Sequence, residues 1–153
     1  MIKLTVLFFA FILLSACVHS GPHSEHLSGR MQVAGEARGI DQLAKTYGVE
    51  LVSLQATAGG QLLDLRYRVV KPELAKELFK TNANASFKII DPKTEHAMEV
   101  PDTPVGKLKS KMLKPKINQI LYVLFENPGG AIKPGSRVSL VIGSVRIDGV
   151  KVE

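Results

Sequence analysis

Between Leu62 and Val70 the chain alternates with a period of two. Leu63, Leu65, Tyr67 and Val69 are apolar, and Asp64, Arg66 and Arg68 between them are charged. Successive side chains of a β-strand point to opposite faces, so such a stretch buries one side of a sheet and wets the other. A helix would scatter the same four apolar residues around its circumference. The same grammar recurs along the chain. Val49–Thr57 precedes this run across Ala58-Gly59-Gly60-Gln61, and a Gly-Gly pair between two such runs marks a hairpin. Ser86–Asp91 and His96–Val100 flank Asp91-Pro92-Lys93-Thr94-Glu95, where Pro92 pre-sets a turn and Asp91 can bond the backbone ahead of it. Ile117–Glu126 reads as a buried strand, with Ile120, Tyr122 and Leu124 on one face and Leu121, Val123 and Phe125 on the other. Asn127-Pro128-Gly129-Gly130 ends it, and Lys133-Pro134-Gly135-Ser136 is a further turn. Arg137–Ile147 is the last long strand, with Gly143 at a bulge or tight hairpin bend. Asp148-Gly149 then turns into a short strand over Val150–Val152.

Three segments depart from this pattern. Lys71–Lys80 has Pro72 where a first helical turn wants it and an apolar stripe of Leu74, Ala75, Leu78 and Phe79, so it predicts a short inserted helix. Asp41–Tyr47 fits a second short helix, with Asp41 as N-cap and Gly48 at the position after its end. Pro101–Lys116 contains three prolines and reads as a long connection. About seven short strands separated by turn signals predict an all-β fold, an antiparallel β-sandwich of immunoglobulin-like architecture. The Cys–Trp–Cys core of antibody domains is absent, since the chain has one cysteine and no tryptophan.

The N-terminus carries a different signal. Lys3 is followed by an apolar run over Leu4–Leu14, broken in polarity only by Thr5, the length and order of a secretory h-region. At about 1.5 Å per helical residue the run is too short to span a hydrocarbon core of about 30 Å. It ends in Leu14-Ser15-Ala16-Cys17, which resembles the lipobox of bacterial lipoproteins. That resemblance implies cleavage before Cys17 and acylation of Cys17, so residues 1–16 are expected to be a signal peptide. Val18 in place of an aspartate leans the resemblance towards the outer membrane. Cys17 is the sole cysteine, which excludes an intramolecular disulfide and gives acylation as the reason for its presence. Residues 17–39, rich in Gly, Ser, His and charge, read as a flexible tether of about 25 Å, and residues 40–153 as the folded domain. The folded part resembles a class of small envelope lipoproteins with an immunoglobulin-like sandwich. The resemblance lies in Leu63-Asp64-Leu65-Arg66-Tyr67-Arg68-Val69, in Val100-Pro101 with Val105-Gly106, and in Tyr122-Val123-Leu124-Phe125-Glu126-Asn127-Pro128-Gly129. It covers residues 48–153, and these sheet-and-turn signatures imply a fold rather than a chemistry.

The densest charge run is Lys107, Lys109, Lys111, Lys114 and Lys116, with no acid among them. Extended, it would set Lys107, Lys109 and Lys111 on one face, suited to an anionic partner such as lipid headgroups. Lysines on a sheet edge also block sheet-to-sheet aggregation, and that reading is preferred. Asp64 and Arg66 share a face and read as a surface ion pair. His96 and Met98, one residue apart, would share a strand face and offer two soft-metal ligands, which fall short of a site without further groups. A methionine filling the core is the preferred reading. His19, His23 and His26 stand at spacings of four and three, but Pro22 opposes the helical turn that would gather them.

No serine stands in a nucleophile elbow, His96 is the one histidine beyond the tether, and no Gly-rich loop precedes a helix. With few aromatics and no tryptophan, the chain lacks a stacking platform for single-stranded nucleic acid. The net charge of +6 suits anionic surfaces without naming one. The expectation is therefore a non-enzymatic lipoprotein, held by its N-terminal lipid in the outer membrane and facing the periplasm. It would bind or assemble with another envelope protein, through its strand edges or the 101–116 connection, without cofactor or nucleic acid. The alternative is a periplasmic handler of copper or another soft metal through His96 and Met98.

Overall fold

Antiparallel pairing organises the chain from Val49 onward. The structure is a computed structural model that describes residues 24–78, 87–111 and 114–153. Its strands are β1 (Val49–Thr57), β2 (Leu62–Val69), β3 (Phe87–Ile90), β4 (Ala97–Glu99), β5 (Asp102–Thr103), β6 (Gly106–Lys107), β7 (Ile120–Glu126), β8 (Arg137–Ile142) and β9 (Val145–Lys151). The first sheet has the order β1-β2-β7, the second β4-β3-β8-β9, and β5-β6 is a two-stranded ribbon. Every pairing is antiparallel, and the fold is mostly β.

The period-two pattern becomes burial. Leu63, Leu65, Tyr67 and Val69 of β2 are buried, as are Leu121, Val123 and Phe125 of β7. They share one hydrophobic core with Phe87, Ile89, Met98, Leu140, Ile142, Ile147 and others of the second sheet. Tyr67 and Phe87 stack at a ring-centroid distance of 6.2 Å, joining β2 to β3. Full burial of side chains of this size contributes roughly 1.5–3 kcal/mol each. The Tyr67 phenol is pushed above its ordinary range by desolvation.

The turns form where glycine and proline stand. Ala58, Gly59 and Gly60 all have positive φ in the β1–β2 hairpin. In the β3–β4 turn the Asp91 carboxylate accepts the Lys93 N–H at 3.0 Å and the Thr94 hydroxyl at 3.1 Å. Asn127, fully buried, ties two loops together. Its Nδ2 donates to Gly60 O at 2.7 Å and Ile132 O at 2.8 Å, and its Oδ1 accepts the Ile132 N–H at 2.9 Å.

Several expectations are corrected. Residues 24–39, expected as tether, are helical: α1 runs Ser24–Tyr47, so Asp41 lies inside a helix instead of capping one. Gly48 does sit just past its end, with φ +60° and its N–H donating to Ala44 O at 3.1 Å. The folded unit therefore begins before residue 40, because Gly39 abuts the β9 backbone and Glu36 pairs with Arg137 at 3.7 Å. The inserted helix is shorter than 71–80: α2 spans Pro72–Ala75 and passes into a 3₁₀ turn over Lys76–Leu78. Asp148-Gly149 is not a turn but lies within β9, and the bend falls at Gly143-Ser144, where Ile142 pairs with Val145. The 101–116 connection holds the β5–β6 ribbon and an edge segment paired with β7. The outer face of β7 is not buried. Ile120 is 51% and Tyr122 45% exposed, and Leu124 is half-buried. With one face of each sheet spent on the shared core, none of the described helices is placed to cover that outer face.

Candidate interaction face

The first sheet presents to solvent the residues that alternate with its core. Register sets Arg66 opposite Tyr122 and Arg68 opposite Ile120, so two arginines flank two exposed apolar side chains. On the β1 side, a register shift between Leu51 and Ser53 leaves Val52 40% exposed. Beyond β7 the sheet gains a further edge. The Ser110 N–H donates to Tyr122 O at 2.9 Å, the Leu124 N–H to Leu108 O at 2.9 Å, and Lys109 bridges Val123. The Ser110 hydroxyl also accepts the Tyr122 N–H at 3.0 Å.

This edge rearranges the lysine run. The Lys109 N–H donates to Lys107 O at 2.8 Å, a local turn that breaks the alternation expected over 107–111. Lys109 faces the core side instead, with Nζ 5.4 Å from the centroid of the Phe87 ring. Desolvation, with Lys107 nearby, holds its ammonium below the usual lysine range. Lys107, Lys111, Lys114 and Lys116 are exposed, and Lys111 Nζ donates to Val105 O at 3.1 Å. The three lysines expected on one face are thus not together. An inward-turned lysine on an edge strand opposes pairing with another sheet.

Charge is distributed unequally between the two outer faces. On the second sheet Lys88 meets Glu99 at 2.8 Å, and Arg146 meets Asp148 at 2.7 Å. The Ser139 hydroxyl donates to Asp148 Oδ1, and Arg146 Nη2 donates to Ser139 Oγ at 3.1 Å. The Ser139 hydrogen bond, then Arg146, holds the Asp148 carboxyl below its ordinary value. The Lys88 contact likewise holds the Glu99 carboxyl low. On the first sheet Arg66 meets Asp64 at 3.0 Å, as its place on the same strand face predicts. Asp64 Oδ1 is buried without a hydrogen-bond partner among the described residues. Glu50 stands opposite Arg68 in register, yet no ion pair closes between them. The Lys116 N–H donates to Gln119 Oε1, which places this lysine at the foot of β7 beside Ile117, 64% exposed. The end of the face carrying Arg68, Ile120 and Ile117 is therefore apolar, with Arg68 and Lys116 as its cations and Glu50 as its acid.

The soft-metal pair is not assembled. Met98 is buried in the core on β4, whereas His96 lies in the preceding turn and is exposed. Among the described residues no group of three or more His, Cys, Asp or Glu side chains stands together as a metal site would require. Cys17, His19, His23 and Met112 lie outside the described residues. Reading the sequence missed the Arg68–Ile120–Tyr122 surface, although β7 carries the signal for it. A run apolar on both faces has only one core-facing side in a two-sheet fold. No protein-family model, curated protein or solved structure matches this chain.

Proposed function

We propose that this protein is a lipid-anchored, non-enzymatic binding module of the bacterial envelope, with an immunoglobulin-like sandwich as its recognition domain. The fold reading is supported by strand order. Counting the 108–110 edge as a strand, the first sheet runs β1, β2, β7 and then that edge, in the manner of A-B-E-D. The second runs C′-C-F-G. The anchor reading is supported by the apolar run and Leu14-Ser15-Ala16-Cys17. The mature chain begins at Cys17, is held in the outer membrane and faces the periplasm.

The observation that carries the binding reading is the exposed Tyr122–Ile120 pair on β7 beside Arg66 and Arg68 of β2, on a face no described element covers. Tyrosine and arginine are enriched where protein interfaces concentrate their energy. The partner is another envelope protein, and no cofactor or nucleic acid takes part. Metabolic labelling with a fatty acid tests the anchor: the wild type takes up label and Cys17→Ser does not. Equal label on both proteins would end the lipoprotein reading.

A further inference from the structure

We propose that the Arg68–Ile120–Tyr122 end of the first sheet docks an acidic polypeptide segment that also carries apolar side chains. The inference rests on the binding-module reading and adds the place and the chemistry of the partner. Three observations bear on it. Ile120, Tyr122 and Ile117 are each 45–64% exposed and follow one another along one strand and the turn before it, a patch that water disfavours. The cations around the patch outnumber its anions. Arg68 and Lys116 make no ion pair among the described residues, with Glu50 the acid opposite Arg68 in register, and Arg66 is matched by Asp64. The second sheet, which shares the same solvent, has its outer-face acids matched by Lys88 and Arg146. Lys151 on that sheet also makes no ion pair among the described residues, so what distinguishes the first face is basic charge beside exposed apolar side chains, and its complement is a run of Asp or Glu interleaved with aromatic or aliphatic residues.

A lipid surface fits the same charge less well. The three-lysine face that would meet headgroups is dismantled by the turn of Lys109 onto Phe87 and by the Lys111 bond to Val105 O. Tyr47 meets Ser144, Gly39 meets Ile147 and Glu36 meets Arg137, so α1 runs antiparallel to β9 and its N-terminal end leads off along the strand direction. Six residues separate Cys17 from the start of α1.

The test uses the full chain carrying Cys17→Ser, in detergent, panned against a random peptide display library. Enriched peptides should combine Asp or Glu with Tyr, Phe, Leu or Ile, and a synthetic copy of the strongest should bind less tightly as salt rises. Arg68→Glu and Tyr122→Thr should each weaken that peptide by about tenfold or more, while Lys151→Glu on β9 should not. Ile120→Thr repeats the test at a second exposed position, and thermal melts of each variant separate lost binding from lost fold. Enrichment without acidic residues would overturn the proposal. So would binding indifferent to all the face variants, or Arg68-dependent binding to phosphatidylglycerol vesicles with none to the peptides. None of these readouts depends on acylation, so failure here is distinct from failure of the anchor experiment.

Discussion

Leu124 and Phe125 are chain neighbours on β7 and stand in different solvents. Phe125 is fully buried, and Leu124 is half-buried on the outer face beside Leu108. Phe125→Ala should cost about 3–5 kcal/mol, the range of aromatic-to-alanine changes in cores. Leu124→Ala should cost about 1 kcal/mol, since the half-exposed side leaves little cavity. Denaturant melts of the two variants check the register of β7, and equal costs would contradict it. Asp148 supplies a pH test of the second sheet. Its carboxyl is held below its ordinary value first by Ser139 and then by Arg146. A depressed folded pKa contributes stability above the unfolded value, which is lost as pH falls through the folded value. Asp148→Asn should therefore lower stability near about pH 6, and the gap to wild type should shrink towards about pH 2.5. Melts across that range read it directly. A gap that is constant with pH would mean that the carboxyl charge contributes nothing there.

The element that most changes the picture is α1. Its C-terminal half packs along β9 because Gly39 has no side chain: a Cβ there would stand 2.9 Å from Arg146 O and from the Ile147 Cα. Gly39→Val should push the helix off the sheet and cost about 1–3 kcal/mol, the range of overpacked sites. Gly35, one turn earlier, has nothing within 4 Å of its Cβ position. Gly35→Ala should stabilise by about 0.4–1 kcal/mol, because it restricts the unfolded chain without a clash. Denaturant melts of the pair distinguish a helix docked through Gly39 from one that merely lies nearby. The sequence carried a signal for this helix in the four-residue spacing of Gly35, Gly39, Leu43 and Tyr47. It is faint because glycine opposes helix formation and because two of the four positions carry no side chain to extend the apolar stripe of Leu43 and Tyr47.

Across the whole molecule, the two larger sheets and α1 share one core. Leu43 of the helix, Tyr67 of the first sheet and Ile147 of the second all belong to it. One shared core predicts one cooperative transition: tyrosine fluorescence and far-ultraviolet circular dichroism should give the same denaturation midpoint. Separate midpoints would mean that α1 melts on its own. The sheet edges are managed by different devices. Glu153 crosses to β1, where its N–H donates to Leu54 O at 2.9 Å and its carbonyl accepts the Ala56 N–H at 3.1 Å. On the far side, β7 is closed by the 108–110 segment with its inward lysine.

Local chemistry was enough for β1, β2, β3, β4, β7 and β8 and for most of their turns, but not for the β5–β6 ribbon or for β9, which runs through Asp148-Gly149. Alternation in β2 sets which side chains are apolar together, and Gly59-Gly60 and Asp91-Pro92 restrict the backbone wherever they stand. Those effects act within a few residues and need no partner. Which face of β7 meets the core depended on a second sheet, because Leu121 and Tyr122 are both competent to be buried and only packing breaks the tie. The inward turn of Lys109 depended on the Phe87 ring 5.4 Å away, and the docking of α1 at Gly39 on a β9 backbone more than a hundred residues further along the chain. Glycine at 35 and 39 weakens helix propensity there, and the contacts of Glu36 with Arg137 and of Gly39 with the β9 backbone hold that part of α1 from a distance in sequence.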